Sequence, residues 1–319
     1  MERSPPIAPV GELVFSGPSS RGWHRLEQII RCPQLAKPAA ITADTGLSRY
    51  EPRPALVKGS LIHYALAQYF RRLQAQQRGE PIDVWMEPKL AIDVCAQREA
   101  EQDNAVGHEG KMWLDYVPHI QDCFEYWEAT FAETGPKYWK VLGVEEELRC
   151  SVSKPWLASG ESPIVTPSPG EGNVKPTDGG YLYTQRADLI VMIQGKVYVV
   201  DHKSTSRPIP KYDDARALSG QMLGYEMLGN LHAKDKWGGV ILHYLQVSDK
   251  GEFSFDFKSA ARAPAVDDFA ETILYAEEVY ETAIRTGRWP KAYSEHICWT
   301  RYGPCPKYSL CKHGIMGLR

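Results

Sequence analysis

The clearest hydrophobic pattern in the chain is RADLIVMIQGKVYVVDHKST, residues 186–205. Two runs of β-branched and aliphatic residues flank a Gln-Gly pair at 194–195, and such a pair indicates a two-residue hairpin turn. Runs this apolar are typical of strands that are buried on both faces. Charged residues stand near one end of the predicted hairpin: Asp188 on the first strand, and Asp201 and Lys203 on the second.

The hydrophobic pattern elsewhere predicts helices and strands around this hairpin. Segment 84–134 is read as one or two further helices, while 1–19 is expected to be flexible and 153–179 to be a long exposed loop, because both are rich in Pro, Gly and Ser. Helices are predicted at about 20–32, 59–77, 213–231 and 264–286, and strands at 138–152, 238–247 and 252–257. The order predicts an α/β fold, expected to be a single domain over 1–319.

Composition narrows the choice of function. The net charge is −3, so any positive field for a nucleic acid must be local. No apolar run approaches the ~20 residues of a membrane-spanning helix. The N-terminal sequence lacks the pattern of a secretory signal, so a cytoplasmic location is expected. In that compartment the seven cysteines are expected to be thiols or metal ligands.

The charged residues of the hairpin indicate a candidate metal-binding site. Charges at the edge of an apolar sheet are costly unless they bind something. Two acids with a lysine suit a divalent metal ion and a water nucleophile. The residues alone leave another reading open, a salt bridge at the strand end with a solvated lysine.

This arrangement resembles the core of the PD-(D/E)xK nuclease superfamily. The resemblance implies that Asp188 and Asp201 hold a metal ion and that Lys203 positions or activates the water. It also implies a restriction-endonuclease-like core, in which a small mixed central sheet is flanked by helices.

Two further motifs resemble those of the RecB-like branch of the superfamily, which includes phage exonucleases and CRISPR adaptation nucleases. Gly59 and His63 form a G-x-x-x-H motif on a helix, and the resemblance makes His63 a metal ligand. Gln221 and Tyr225 form a Q-x-x-x-Y motif, and their spacing puts both on one helix face, where an amide and a phenol are expected to orient the phosphate or the lysine. The backbone carbonyl of His202 is the remaining expected ligand. The alternatives are a core histidine and a surface Gln beside a packing Tyr.

The strand before the hairpin carries three consecutive acids, Glu145, Glu146 and Glu147. Related nucleases often have a glutamate on this strand. Alternation along a strand predicts Glu145 and Glu147 on one face and Glu146 on the other. Glu145 is the favoured additional acid, and a solvated acidic face is the alternative.

Cysteines mark both ends of the chain. Cys32 lies near the start, and Cys298, Cys305 and Cys311 form a C-x6-C-x5-C tail. In several RecB-like nucleases one early and three late cysteines hold a four-iron four-sulfur (4Fe-4S) cluster that joins the chain ends. A structural Zn²⁺ assisted by nearby His296 or His313, or free thiols, are the alternatives. The other three, which read as small core residues, are Cys95, Cys123 and Cys150.

The resemblance implies a Mg²⁺- or Mn²⁺-dependent deoxyribonuclease, expected to be an exonuclease in DNA processing, recombination or repair. The expected partner is DNA with free ends or single strands, in a prokaryotic or phage-infected cell, alongside recombination or CRISPR-adaptation proteins and without a membrane. The alternative is a non-cleaving DNA-end binding or scaffold protein with a structural metal–cysteine site. A complete set of acids and lysine favours the enzyme.

Overall fold

A computed structural model gives the structure of the chain. It describes residues 19, 21–37, 53–105, 107–135, 138–154, 163–168, 180–209, 219–248, 253–259, 266–292, 294–300, 303–305 and 311. The segment predicted to be flexible, 1–19, lies outside these residues except for Ser19, as does most of the predicted loop 153–179.

Six strands form one mixed sheet. They are β1 (Lys140–Ser153), β2 (Ile164–Pro167), β3 (Tyr181–Ile193), β4 (Lys196–Thr205), β5 (Trp237–Val247) and β6 (Phe253–Ser259). Their order in the sheet is β2-β1-β3-β4-β5-β6. Only β4 and β5 are parallel neighbours; the other pairs are antiparallel.

Among the described residues there are eight α-helices, and seven of them cover the two faces of this sheet. The eight helices are α1 (Trp23–Arg31), α2 (Pro54–Arg78), α3 (Pro88–Ala105), α4 (Lys111–Asp115), α5 (Val117–Thr134), α6 (Gly220–Ala233), α7 (Val266–Thr286) and α8 (Glu295–Cys298). Helices α2 to α5 pack on one face, and α1, α6 and α7 pack on the other. A separate small hairpin pairs β7 (Trp299–Thr300) with β8 (Gly303–Pro304). The predicted mixed α/β core flanked by helices is therefore confirmed.

The side chains of strand β4 pack against both helical layers, because they alternate between the two faces of the sheet. Val200 lies in the cluster that contains Leu66 of α2, whereas Val199 lies in the cluster that contains Met222 of α6. The alternation continues into the charged end of the strand. It therefore directs Asp201 toward α6 and the next residue toward α2.

The predicted hairpin at 186–205 is confirmed. Strands β3 and β4 meet at Gln194 and Gly195, whose φ angles are 49° and 80°. Both lie in the left-handed region that a tight two-residue turn requires. The turn chemistry was therefore enough to find the junction.

Two expectations need correction. The predicted loop 153–179 contains β2, which pairs with the end of β1, because Ile164, Val165 and Thr166 are β-branched and meet an open sheet edge. Segment 84–134 holds three helices, since Gly110 and Tyr116 break it at α4. The predicted helix at 213–231 begins at Gly220 among the described residues, and 213–218 lie outside them. None of the described helices combines the length and apolarity needed to cross a membrane.

Candidate active site and metal-binding residues

The two hairpin acids lie where β3 and β4 stop pairing. The strand ladder ends at the Leu189–Val200 pair, and Asp188 and Asp201 are the next residue on each strand. The backbone N–H of His202 donates to Asp188 Oδ2 at 2.7 Å. A hydrogen bond to a carboxylate is stronger than one between neutral groups. The structure thus brings the two predicted acids to one end of the hairpin and fixes one of them.

Asp201 belongs to a network with helix α6. Lys203 Nζ lies 2.6 Å from Asp201 Oδ2 and donates to Gln221 Oε1 at 3.0 Å. The amide of Gln221 also donates from Nε2 to Asp201 Oδ1 at 2.9 Å. Helix α6 can start where it does because the Ser219 hydroxyl caps its first turn by accepting from Met222 N. Gln221 therefore bridges the acid and the lysine, and the structure brings all three predicted residues together.

Tyr225 completes this network one helical turn later. Its hydroxyl is 2.9 Å from the Arg186 carbonyl oxygen and 3.3 Å from Asp201 Oδ1. A phenol has one proton to donate, and the shorter contact is to the carbonyl. Burial, followed by the nearby Asp201 and Asp188 charges, raises the pKa of Tyr225 well above its usual value. Tyr225 therefore remains a hydrogen-bond donor.

One oxygen of Asp201 retains acceptor capacity. Oδ2 is buried and has no hydrogen bond of normal geometry, although Lys203 Nζ lies close to it. We regard that contact as an ion pair without an aligned hydrogen bond, which leaves lone pairs of Oδ2 available. A buried carboxylate oxygen in this state is suited to a cation.

A second group of ligand atoms faces α2. One atom each from His63, Glu145 and Asp188 lie within 4.8 Å of one another. His63 Nδ1 is 3.8 Å from Asp188 Oδ2, which is beyond hydrogen-bonding distance. Helix α2 comes this close because of Gly59, where an added Cβ would lie 2.9 Å from the Ser204 hydroxyl oxygen on β4. The glycine of the G-x-x-x-H motif thus has a packing role.

Glu145 reaches this group through an unusual backbone. It lies between residues 144 and 146, which pair with β3, and its φ is 52°. The left-handed region costs a non-glycine residue about 1–2 kcal/mol, and such strain is typical of functional sites. The expected alternation is wrong here, because Glu145 lies near His63 while Glu146 forms an ion contact with Arg71, so both face α2.

The electrostatics of Asp188 favour a bound cation. Burial first, and then the charge of Asp201, raise the pKa of Asp188, while His63 and Lys203 act in the opposite direction. A divalent ion would remove the repulsion between the acids. Carboxylates with one imidazole suit Mn²⁺ or Mg²⁺. These donors fit the expected metal ion, with Glu145 in addition to the predicted ligands His63 and Asp188.

His202 is placed differently from the other predicted ligands. Its ring is buried and Nδ1 lies 2.8 Å from Nδ1 of His243, so the side chain is engaged away from the acids. Burial, followed by the charge of His243, lowers the pKa of His202 well below its usual value, and burial lowers that of His243 to about 3. Metal binding by the His202 carbonyl remains a prediction.

A cavity of about 400 Å³ opens beside the Lys203–Gln221 side of the site. That volume is within the roughly 300–1,000 Å³ of small-molecule sites. Its wall combines catalytic candidates with residues of helix α1 and of β3. The lining includes Trp23, His24, Glu27, Arg186, Lys203 and Gln221.

The cysteines of the chain ends lie on segments that partly meet. The turn after Cys32 touches the C-terminal region, since Gln34 N donates to the Pro290 carbonyl at 3.2 Å. Cys298 and Cys305 flank the small β7–β8 hairpin, and Cys305 N donates to the Cys298 carbonyl at 2.8 Å. Among the described residues no disulfide links these cysteines, Cys311 included, and no cysteine joins a group of three ligand atoms within 4.8 Å.

The three remaining cysteines are core residues, as predicted. Each is at most 2% exposed, and burial raises each thiol pKa to about 12. They are Cys95, Cys123 and Cys150.

The sequence did not lead us to several residues that contact the site residues and hold them in place. Trp127 and His243 form a hydrogen-bonded chain to His202, and Arg186 lines the cavity while its carbonyl accepts from Tyr225. One signal was present, since His243 is the only histidine within the apolar strand WGGVILHYLQV. A buried histidine on a strand usually has a partner, and the partner lies on the neighbouring strand.

One protein-family model matches this chain over nearly its whole length. The family model of the PD-(D/E)XK nuclease superfamily matches residues 24–312. The crystal structure of a "Putative exonuclease" from Eubacterium rectale is 11% identical, with 88% of each chain covered and a TM-score of 0.42. The crystal structure of SSO0001 is 14% identical, covering 69% of this chain and 74% of that one, with a TM-score of 0.27. No curated protein sequence matches. Because the family model spans nearly the whole chain, this protein belongs to the PD-(D/E)XK nuclease superfamily.

Proposed function

We propose that this protein is a Mg²⁺- or Mn²⁺-dependent deoxyribonuclease of the RecB-like branch that acts as an exonuclease in DNA recombination or repair. The observation that carries the proposal is the junction of two groups at one end of the hairpin. Asp201, Lys203 and Gln221 are linked by contacts of 2.6–3.0 Å, and His63 with Asp188 forms the adjacent ligand group.

Asp188, Glu145 and His63 are the residues that would hold the metal ion, with Asp201 Oδ2 as a further ligand. When bound, the ion lowers the pKa of a water molecule and neutralises charge on the scissile phosphate. The His202 N–H keeps one Asp188 oxygen in place, so the carboxylate is oriented before the ion arrives.

Lys203 supplies positive charge beside the reacting phosphate. Its ammonium group is paired with Asp201 and held by the Gln221 carbonyl oxygen, so it does not need to reorganise during the reaction. With its side chain still 21% exposed, it can reach a substrate. Gln221 and Tyr225 are therefore orienting residues.

The cavity beside Lys203 suits the DNA strand that runs away from the cleaved bond. Its wall includes the cation of Arg186 and the indole of Trp23, and such groups bind phosphates and stack on unpaired bases. A strand end entering this cavity would present its first phosphodiester to Lys203. Binding of a strand end in this cavity favours cleavage that starts from a free DNA end. We also propose that the chain forms a single domain.

We also propose the 4Fe-4S cluster on Cys32, Cys298, Cys305 and Cys311. Support comes from the contact between the Cys32 segment and Pro290, and from the hairpin that joins Cys298 to Cys305. Anaerobically purified protein should contain iron and sulfide and absorb broadly in the visible range. Cys32→Ser should bleach it and lower the melting temperature, whereas Cys95→Ala should not bleach it. Stoichiometric zinc would reject the cluster in favour of a zinc site.

The activity is tested by digestion of DNA labelled at either end, single- or double-stranded. Cleavage should require Mg²⁺ or Mn²⁺, stop with EDTA and return when metal is restored. Short products released from one end from the earliest times indicate an exonuclease, and internal fragments would overturn that part. A parallel RNA substrate tests the choice of nucleic acid. DNA binding without any metal-dependent cleavage would favour a scaffold protein instead.

A further inference from the structure

A chain of buried rings connects helix α5 to the back of the metal-ligand group. Trp127 Nε1–H donates to His243 Nε2 at 3.1 Å, and His243 Nδ1 lies 2.8 Å from His202 Nδ1. The three residues are 1%, 0% and 3% exposed, respectively. Water is therefore excluded from this chain, and each polar atom in it depends on its neighbour.

The chemistry of the indole fixes where the protons lie. An indole N–H only donates, so His243 Nε2 must accept and carries no proton. The ring proton of neutral His243 is then on Nδ1. Because Nδ1 of His202 faces that proton, it accepts, and the proton of His202 is on Nε2. One tryptophan thus sets the tautomers of two histidines.

Aromatic packing fixes the ring planes as well. His243 stacks on Phe257 with centroids 4.5 Å apart and planes at 11°, and His202 lies parallel to Phe70 at 5.8 Å and 12°. The ring of His202 also lies against that of His63, at 5.8 Å and 86°. Rotation of His202 would break a hydrogen bond and two ring contacts together.

His202 contacts two of the expected metal ligands, Asp188 and His63. Its backbone N–H donates to Asp188 Oδ2 at 2.7 Å, and its ring lies beside His63. We propose that Trp127, His243 and His202 form a positioning chain through which helix α5 holds Asp188 and His63 in place. The residues act through His202 and touch no substrate, and any effect on cleavage rests on the proposed nuclease function.

The positioning chain gives a role to the helices between α2 and β1. None of the residues expected in the site lies in segment 84–134, yet Trp127 of α5 reaches the strand that carries Asp201 through a single histidine of β5. Mutation of residues that hold metal ligands in place, without binding the metal themselves, typically lowers metal affinity or activity by 10–100-fold. This helical layer can therefore set the metal affinity of the site.

The first test uses the unaltered protein. Long-range ¹H–¹⁵N NMR spectra of the histidine rings distinguish the two neutral tautomers. His243 should be protonated on Nδ1 alone and His202 on Nε2 alone. The opposite tautomers, or a mixture at either ring, would overturn the positioning chain without any variant.

The second test compares two tryptophans. Trp127→Phe keeps a ring but removes the N–H, so the His243 tautomer should become mixed and the Mn²⁺ dissociation constant should rise about 10-fold. The control is Trp113→Phe, which removes a similar buried bond, the 2.6 Å N–H donation to Asp103, in the same helical layer. It should lower stability but leave ring spectra and Mn²⁺ affinity unchanged.

Equal Mn²⁺ affinities for the two variants would overturn the proposal. Neither the calorimetric measurement of Mn²⁺ binding nor the ring spectra require DNA cleavage. They therefore test the positioning chain independently of the nuclease activity. If unaltered protein binds Mn²⁺ but cuts no DNA, only the proposed function fails. In an active protein, Trp127→Phe should raise the Mn²⁺ concentration for half-maximal cleavage while the KM for DNA stays within twofold.

Discussion

The two faces of the sheet meet their helices in different ways at the charged end of the β3–β4 hairpin. On the α6 face, Asp201, Lys203 and Gln221 are joined to one another by contacts of 2.6–3.0 Å. On the α2 face, His63 and Asp188 converge but remain 3.8 Å apart, and Glu145 is held near them by a left-handed backbone. The first face is held together by its own contacts and leaves one oxygen, Asp201 Oδ2, without a hydrogen bond. The second gathers ligand atoms around Asp188, whose pKa is raised by burial and by the charge of Asp201, and a cation would relieve that repulsion.

The largest expected effect separates metal binding from catalysis. Asp188→Ala should abolish both Mn²⁺ binding and cleavage, because it removes a ligand of the α2 face. Lys203→Ala should slow cleavage by about 10³-fold while Mn²⁺ binding stays within a few-fold, because the lysine stabilises charge in the reaction. Calorimetry and single-turnover rates measure the two effects.

The control for these variants is Lys196→Ala, at the other end of β4, where the lysine donates to the Asp235 carbonyl. It should retain both properties. Retained Mn²⁺ affinity in Asp188→Ala, or normal cleavage in Lys203→Ala, would contradict the division of labour between the two faces.

A smaller effect is expected from the orienting residues of α6. Gln221→Ala and Tyr225→Phe should each lower kcat by about 10- to 100-fold, less than loss of the lysine, because they hold other groups in place. Asn230→Ala on the same helix, whose side chain donates to the Glu226 carbonyl, is the matched control. If neither Gln221→Ala nor Tyr225→Phe changes kcat, the helix serves only as scaffold.

The same contrast explains how far the sequence could predict the site. Hairpin alternation and the four-residue spacing of Gln221 and Tyr225 are local, and those residues do meet. Simple alternation failed at Glu145, because a single left-handed residue reverses which face the following strand presents. The His243–His202 contact joins residues 41 positions apart through parallel strand pairing, which no local pattern encodes. Strand β2 depends on the free edge of β1 in the same way.

Strain at Glu145 offers a way to sharpen the comparison. Glu145→Gly should raise the free energy of unfolding by about 0.5–1 kcal/mol, because glycine tolerates φ 52° but loses more chain entropy on folding. The same change should weaken Mn²⁺ binding by removing a ligand. Thermal unfolding and calorimetry measure the two.

Gln194→Gly is the control for this combination of higher stability and weaker Mn²⁺ binding. The φ of Gln194, 49°, is similar to that of Glu145, but Gln194 lies in the hairpin turn. It should stabilise the protein and leave Mn²⁺ affinity unchanged. Glu145→Gln keeps the strain and removes only the charge, so it should weaken binding without the gain in stability. Unchanged Mn²⁺ affinity in both Glu145 variants would remove Glu145 from the ligand group.

The smallest effect concerns the cavity on the α6 face. Glu27 lines it and would repel a DNA phosphate, so Glu27→Gln should lower the KM for DNA by about two- to fivefold, a change on the scale of one exposed charge. Glu27 also lies 3.8 Å from Arg31, one turn later on α1. Arg31→Gln breaks that same contact, and Arg31 is not among the lining residues described, so it should leave KM unchanged. A fall in KM for Glu27→Gln alone supports a strand path through the cavity, whereas equal behaviour of the two variants would exclude it.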